Sequence, residues 1–249
     1  MFVHYRTQGF VFKKTDRGEA DQIFTIYTKD FGKLVFLARA ARKIQSKLRG
    51  GLPLFAVSEI EFIQGKAYKT LTDAFVVERF GEIPRSLTKL KIAYKIGEVL
   101  GNLIKEEEEN EGIWRLLRQT LRELNDYSLG GKRKAPISVY CLSVYYYFFW
   151  NLVALAGFEP SLYQCVFCQR KISSEPIYFD PSQGGIVCKN CFRKSESGRK
   201  VDADLVKILR VILERKWDKF KKVKITPLHL QSLREISNRY YSHLLGDSR

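Results

Sequence analysis

The sequence predicts an α+β protein of several domains, with an N-terminal five-stranded barrel and a C-terminal helical domain that carries an inserted four-cysteine metal module. Three observations predict this fold. Apolar residues alternate in short runs over the first eighty residues, they recur at helical spacing after Pro84, and two C-x2-C pairs interrupt the helical region. A chain of 249 residues with 45% hydrophobic content can form more than one core, so we expect two or three domains.

Five runs in the N-terminal part have the alternation and the aromatic and β-branched content that are typical of strands. Gly, Asp and Lys turns separate them, and five short strands over this length favour a small barrel. The short connection 29–32 predicts a hairpin, whereas residues 41–53 form a long Gly-rich basic loop. The predicted strands are residues 9–14, 22–28, 33–39, 55–63 and 68–77.

Two amphipathic helices are predicted after Pro84, since apolar residues there recur every three or four positions. We expect Gly97 and Gly101 to let two helices approach closely, and the acidic run 106–109 to be the solvated end of the first helix. The residues that define the two patterns are Leu87, Leu90, Tyr94, Gly97, Leu100 and Ile104 in the first helix, and Ile113, Leu117, Leu121 and Leu124 in the second.

A basic loop at residues 130–134 leads into an uncharged segment, 135–158, that is long enough to cross a bilayer. Three tyrosines in its middle and the polar Ser138, Ser143 and Asn151 favour a buried helix over a membrane span, and both interpretations stay open. Two later helices, with Asp202 and Thr226 as candidate N-caps, are expected to pack on this apolar helix.

Four cysteines predict a metal centre: Cys165, Cys168, Cys188 and Cys191 form two C-x2-C pairs separated by nineteen residues. Four soft sulfur ligands on two short knuckles suit one tetrahedral zinc ion. A cage of four thiolates has no open coordination position for a water molecule, so we expect one structural zinc ion and no metal-based catalysis.

The charge balance favours a nucleic-acid partner, because 43 Lys and Arg against 27 Asp and Glu give a net charge of +16. Four of the five cysteines have metal-ligand spacing, which favours a reducing cytoplasm over an oxidising compartment. The first nine residues lack the pattern of a secretory signal. We therefore expect a cytoplasmic protein.

A block without acidic residues, 32–58, is the predicted phosphate-binding site. If all six of its strongest candidates contact phosphates of a single strand, the log–log salt slope of binding would be roughly −4. A merely solvated, solubilising loop is the alternative. The candidate DNA-binding residues are Lys33, Arg39, Arg42, Lys43, Lys47 and Arg49.

Barrels that hold single strands usually add aromatic rings on which bases stack, although strand alternation must place many of these rings in the core. The available rings are Phe10, Phe12, Tyr27, Phe36, Phe55 and Tyr68. A second basic cluster, 215–224, is interleaved with Trp217 and Phe220 and is a weaker candidate for a nucleic-acid track.

One helix face is a candidate docking site for an acidic peptide, because Arg115, Arg118 and Arg122 share it and Trp114 could offer apolar contact at its rim. A solvated helix face is the alternative. The sequence has no phosphate loop of the G-x-x-x-x-G-K-[ST] type, no histidines at metal-ligand spacing and no recognisable acidic dyad, so we expect a binding protein rather than an enzyme.

Taken in order along nearly the whole chain, several short motifs make the sequence similar to the RecO family of bacterial recombination mediators. They are GEADQI at 18–23, FGK at 31–33, AARK at 40–43 with Ser46, GL at 51–52, LAGF at 155–158 with Pro160, and GG at 184–185 ahead of Cys188. The resemblance implies an OB-fold DNA-binding domain at residues 1–80, a helical domain at 81–159 and 200–249, and a zinc ribbon inserted at 160–199.

The resemblance further implies binding of single- and double-stranded DNA, annealing of complementary strands, and help in loading RecA recombinase onto DNA coated by single-stranded DNA-binding protein. The implied partners are RecR, the acidic C-terminal tail of single-stranded DNA-binding protein, and RecF, in a nucleoid-associated cytoplasmic setting without a membrane. The residues leave three other functions open: an OB-fold RNA-binding protein, a zinc-dependent nucleic-acid enzyme such as a nuclease, and a membrane-attached protein.

Overall fold

The computed structural model describes residues 3–65, 68–127, 136–172 and 176–246. The chain divides into two compact units, Met1–Ser128 and Leu129–Arg249. The first contains the barrel and two helices, and the second contains the remaining helices and the four-cysteine ribbon. The predicted fold class is confirmed; the basic loop predicted at 130–134 lies outside the described residues.

Five strands close into a barrel in the order β1-β2-β3-β5-β4, which is the OB-fold arrangement. All neighbours are antiparallel except β3 and β5, which meet in a short parallel pairing at Phe36–Lys69 and Leu37–Thr70. The strands are β1 His4–Arg17, β2 Asp21–Thr28, β3 Gly32–Ala38, β4 Ala56–Gln64 and β5 Lys69–Arg79. Each contains most of the strand predicted from alternation.

The predicted hairpin between β2 and β3 depends on Gly32. Its φ of +64° is in the left-handed region that a side chain disfavours, and a Cβ there would lie 2.2 Å from the Glu108 carbonyl oxygen. The Thr28 hydroxyl accepts a hydrogen bond from the Phe31 amide and donates one to the Gly32 carbonyl. Side chain and backbone therefore both fix this turn.

Two helices, α1 Leu87–Leu103 and α2 Glu111–Asp126, complete the first unit. Gly97 and Gly101 do allow a close approach, but to a strand rather than to a helix: a Cβ on either would lie 3.2 Å from Phe12 of β1. The sequence groups α1 and α2 with the later helices, whereas this division places them with the barrel. The domain boundaries drawn from the sequence stay a prediction.

The acidic run 106–109 does not end α1, which stops at Leu103, and it is not simply solvated. Its backbone lies beside β3, where the Glu107 amide donates to the Lys33 carbonyl at 3.1 Å. Lys69 of β5 forms an ion pair with the Glu107 carboxylate. The run therefore joins the end of α1 to the barrel.

The second unit is built around α3, Ile137–Leu155, as the apolar sequence predicts. α4 Ala203–Leu213 and α6 Pro227–Leu244 both pack on it, and a short helix, α5 Trp217–Phe220, lies between them in the chain. Trp150 of α3 stacks on Tyr240 at 5.3 Å, and the buried Asn151 amide donates to the Ile212 carbonyl at 3.1 Å. The expectation that the last helices return to α3 is confirmed.

α3 is long and apolar enough to cross a membrane, but 72% of it is buried inside the protein. The Asn151 contact with the end of α4 explains a polar residue in its middle. A helix that is apolar on every side is what the centre of a helical unit requires. The burial thus favours the core-helix interpretation over the membrane span.

Both predicted N-caps are present. The Asp202 side chain accepts from the Asp204 amide, and Thr226 forms a reciprocal capping box with His229 ahead of Pro227. Each cap satisfies an amide that the helix itself cannot pair. Between α3 and α4 the chain forms a three-stranded sheet of β6 Ile177–Asp180, β7 Gly185–Cys188 and β8 Arg199–Val201, with a short 3-10 helix, Lys189–Lys194, after β7.

Candidate nucleic-acid interface and metal centre

The basic loop between β3 and β4 is folded onto the barrel. Ala41, Leu48 and Leu52 are buried in the same apolar cluster as the barrel strands. Successive turn hydrogen bonds, from Lys43 to Ala40, Ser46 to Lys43, Arg49 to Ser46 and Gly51 to Leu48, hold the intervening chain. The loop thus has a defined backbone that points its polar side chains outward.

Five of the six predicted DNA-binding side chains are exposed on this loop or at its start: Arg39, Arg42, Lys43, Lys47 and Arg49. Within the part of the chain that the structure describes, Arg39, Lys43, Lys47 and Arg49 have no hydrogen-bond or ion-pair partner for their charged groups. These charges are therefore available to an anionic ligand. Their assignment to DNA stays a prediction that the fold permits.

Lys33 differs from the other five. Its ammonium donates to the Gly101 carbonyl at 2.8 Å and so satisfies a carbonyl near the C-terminus of α1. Burial is the main reason that the pKa of Lys33 is lowered, with the Glu106 charge opposing it. The Lys33 ammonium, which is predicted to bind phosphate, is thus hydrogen-bonded within the first unit, because alternation along β3 turns Lys33 toward α1.

The start of the basic loop is attached to the turn between β1 and β2. The Ala40 amide, at a φ of +52°, donates to the Asp21 carboxylate at 2.8 Å. Arg42 donates to the Gly18 carbonyl at 3.4 Å and lies 3.7 Å from the Asp16 carboxylate. The loop and this turn therefore form one continuous surface.

Of the six aromatic residues considered for base stacking, five are buried in the core and only Tyr68 is substantially exposed, at 38%. The guanidinium of Arg17, the last residue of β1, lies over the Tyr68 ring with its central carbon 4.8 Å from the ring centroid. Arg17 was not among the predicted site residues. Its position beside the 18–23 motif is the one signal that could have drawn attention to it.

The arginine face of α2 is partly neutralised by a residue of the barrel. Glu78 of β5 accepts from Arg118 at 2.7 Å and from Arg122 at 2.6 Å. Arg115 forms an ion pair with Glu111 one turn earlier in the helix. A docking role for the three arginines stays a prediction, and an acidic peptide would have to compete with these carboxylates.

The expectation that Trp114 offers apolar contact at the rim of this face is wrong. Trp114 is only 5% exposed and belongs to the buried stripe of α2. Its place in the helical pattern explains this, since Leu117, Leu121 and Leu124 are buried on the same side. Aromatic residues beside a charged helix face are often core residues for this reason.

The Glu78 contacts give a testable pH dependence. Burial favours the neutral acid, but hydrogen bonds from Arg122 and Arg118 outweigh it and lower the pKa of Glu78 below its usual 4.5. The carboxylate therefore stabilises the fold above about pH 4.5, and this stability is lost as the pH falls through the folded-state pKa. We expect Glu78→Gln to lower the free energy of unfolding by up to about 1 kcal/mol at neutral pH.

Urea denaturation of wild type and Glu78→Gln at neutral pH and near pH 3 would check this. The difference between the two proteins should shrink as the pH falls through the folded-state pKa of Glu78, because the carboxylate then becomes protonated. Glu82→Gln, which removes a more exposed pair with Arg85, is the control and should have a smaller effect. A difference between wild type and Glu78→Gln that is equally large in acid would contradict the assignment.

The structure also changes the interpretation of the basic cluster at 215–224. Trp217 and Phe220 are buried against Tyr147 of α3, with ring centroids 4.8 and 5.1 Å away, so neither ring can stack on a base. Arg215 pairs with Glu159, and Lys219 with Glu214. The aromatic residues of this cluster are therefore core residues, and several of its charges are already paired.

The four cysteines meet as predicted. All four sulfur atoms lie within 4.8 Å of one another, with 3.9 Å between those of Cys168 and Cys188, and none forms a disulfide. Zinc–sulfur bonds of about 2.3 Å in a tetrahedron place the sulfurs roughly 3.8 Å apart. The cluster thus has the composition and size of a four-thiolate metal site.

Backbone hydrogen bonds hold the first knuckle, and the short 3-10 helix Lys189–Lys194 carries Cys191 of the second. The Cys165 amide donates a hydrogen bond to the Arg170 carbonyl. The turn that follows the first cysteine pair contains Gln169, whose φ is +58°. Burial raises the pKa of the Cys165 thiol, but backbone amides of Cys188, Cys168 and Phe167 outweigh it and lower the pKa to about 6. A thiol that ionises so readily suits a metal ligand.

Comparison with known proteins gives the context for these sites. The model of the family described as "Recombination protein O N terminal" matches residues 1–80, and the model described as "Recombination protein O C terminal" matches residues 84–249. The chain belongs to the RecO family. The resemblance noted from short motifs is thereby confirmed over almost the whole length of the protein.

Several curated RecO proteins are similar to this chain along most of their length. A "DNA repair protein RecO" from Dehalococcoides mccartyi strain CBDB1 is 34% identical over 89% of this chain and 83% of its own length. Another with the same name from Halalkalibacterium halodurans is 24% identical over 97% and 90%. Membership of the RecO family supports a role in DNA repair and recombination.

Proposed function

We propose that this RecO protein is a cytoplasmic, nucleoid-associated mediator that binds single- and double-stranded DNA through its basic loop and anneals complementary strands. The single observation that supports it best is a set of exposed cations, four of them without a partner among the described residues, on a loop whose backbone is fixed by the barrel core. Such a loop neutralises phosphates without having to fold first. It recognises the backbone rather than the bases, so both forms of DNA are acceptable ligands.

Annealing follows from the same chemistry. Two complementary strands repel each other, and a polycationic surface that neutralises both lowers the free energy of bringing them together. The protein would then act without catalysing a covalent reaction. In this role it would help RecA recombinase load onto DNA that single-stranded DNA-binding protein covers, together with RecR and RecF.

The acidic tail of single-stranded DNA-binding protein has a candidate docking face on α2. Arg115, Arg118 and Arg122 project from one side of that helix, and their ion pairs with Glu111 and Glu78 support a face that can bind carboxylates. A peptide carboxylate would replace these internal partners. The metal of the second unit, for which we propose zinc, would have a structural role only.

A salt series tests the proposal. With Lys33 engaged by α1, five cations remain, and the log–log slope of single-strand affinity against salt should be roughly −3.5, at about −0.7 per phosphate. Labelled oligonucleotides measured by anisotropy give the affinity, and quenching between two labelled complementary strands gives the annealing rate. Matched RNA strands in competition test the RNA-binding alternative.

Two results would overturn the proposal. One is an affinity for DNA that does not change between low and moderate salt. The other is a clear preference for RNA over DNA of the same sequence. Annealing no faster than in buffer alone would remove the annealing part while leaving DNA binding in place.

A further inference from the structure

Two aromatic side chains on the outside of the barrel are each covered by an arginine, and the residues next to the two rings differ in charge. Tyr68 is 38% exposed with Arg17 over its ring, and Phe75 is 47% exposed with Arg6 over its ring at 5.7 Å. An exposed ring is a surface on which a nucleobase can stack, provided that the strand's phosphates are accepted nearby. The neighbouring charges therefore decide between the two rings.

Phe75 is surrounded by acidic residues that would repel a DNA strand. Its cross-strand neighbour is Glu59, which also holds the Arg6 guanidinium in an ion pair. Asp73 and Glu61 face each other two pairs further along the same two strands. The phosphates of DNA would meet carboxylates here, so this ring is an unsuitable stacking site.

Arg17 links Tyr68 to the turn that holds the basic loop. Arg17 immediately precedes Gly18, whose carbonyl accepts a hydrogen bond from Arg42 of the loop. On the other side, Tyr68 closes the connection between β4 and β5, where its carbonyl accepts from the Gly65 amide at 3.1 Å. In OB-folds, the β1–β2 and β4–β5 connections commonly border the oligonucleotide site.

Gly65 approaches the Tyr68 backbone closely. A Cβ at that position would lie 2.3 Å from the Tyr68 carbonyl oxygen, so the chain can close this tightly only with glycine. The planar guanidinium of Arg17 extends the Tyr68 ring as a second flat surface.

We propose that Tyr68 and Arg17 form a stacking platform for one base of single-stranded DNA whose neighbouring phosphates are bound by the basic loop. This inference rests on the proposed DNA-binding function and adds a base contact to it. The platform would favour single strands, because a base inside a duplex is already stacked and cannot reach the ring. Stacking is tolerant of sequence, since every base has a π-face.

The test compares a normal oligonucleotide with one of equal length that carries phosphates and sugars but no bases. Tyr68→Leu should weaken binding of the normal single strand about tenfold and leave its salt slope unchanged, because no phosphate contact is lost. On the base-free strand, the variant and the wild type should bind alike. Tyr68→Phe should keep wild-type affinity for both strands, because it keeps the ring.

Phe75→Leu is the matched control, since it removes a somewhat more exposed, arginine-covered ring from the same barrel and should not change affinity. Equal binding of the normal strand by Tyr68→Leu and wild type would overturn the platform, and so would an equal loss on the base-free strand. Failure of the wild-type protein to bind DNA at all would instead overturn the proposed function. A circular dichroism spectrum establishes that each variant is folded.

Discussion

Replacing Arg39, Arg42, Lys43, Lys47 and Arg49 with glutamine is expected to reduce DNA affinity at least a hundredfold at moderate salt and to bring the salt slope close to zero. Each phosphate contact contributes about −0.7 to the slope for a single strand, so the loss of five should remove roughly 3.5. The fold should persist, because the loop is held by the buried side chains of Ala41, Leu48 and Leu52. Anisotropy over a salt series measures affinity and slope together.

The control for this variant separates location from total charge. A three-charge loop variant, Lys43→Gln with Lys47→Gln and Arg49→Gln, can be compared with Lys216→Gln, Lys222→Gln and Lys224→Gln in the second unit. Both sets are exposed, and both change the net charge equally. If the second set weakens DNA binding as much as the first, the loss of affinity reflects total charge, and the assignment of the DNA interface to the basic loop is wrong.

Removing the metal is expected to have the second large effect. The four thiolates provide a cage of suitable size, and structural zinc sites of this kind contribute on the order of 10–16 kcal/mol of binding free energy in isolated zinc-finger peptides. Purified protein should therefore contain one metal ion per chain. Chelation or Cys191→Ser should expose the amides of the segment from Leu162 to Val201, as measured by hydrogen exchange, while those of the barrel stay protected.

The remaining cysteine provides the control. Cys141 is buried in α3, apart from the four-cysteine cluster, so Cys141→Ala should keep one metal ion per chain. DNA affinity should change little on chelation, because the basic loop belongs to the other compact unit. Protein that contains no metal after growth with ample zinc, or a ribbon whose exchange is unchanged by chelation, would contradict the metal centre.

Local sequence patterns are sufficient to predict most of the fold. Alternation located all five barrel strands, since each strand has one face in the barrel core, and helical spacing located the helices that follow. The caps Asp202 and Thr226 were recognisable because a cap bonds only to its own first turn. The cysteine pairs were predictable for a similar reason: each C-x2-C knuckle is closed by local backbone bonds.

The errors came where a residue's role depends on a partner distant in the chain. Lys33 looked like any other cation of its segment, but its strand position turns it to the Gly101 carbonyl. Trp114 is predicted at the rim of a docking face and Trp217 in a nucleic-acid track, and the burial of both depends on packing that spacing alone does not specify. The ion pairs of Glu78 with α2 likewise join residues about forty positions apart.

The buried side chains beneath the basic loop have an implication for thermodynamics. A cationic segment that must order itself around its ligand loses chain entropy on every encounter and shows a large change in heat capacity when it folds. Here the hydrophobic interior of the barrel has already immobilised that segment. Association should therefore be rapid, with a small heat-capacity change, and its free energy should come mainly from the release of counterions.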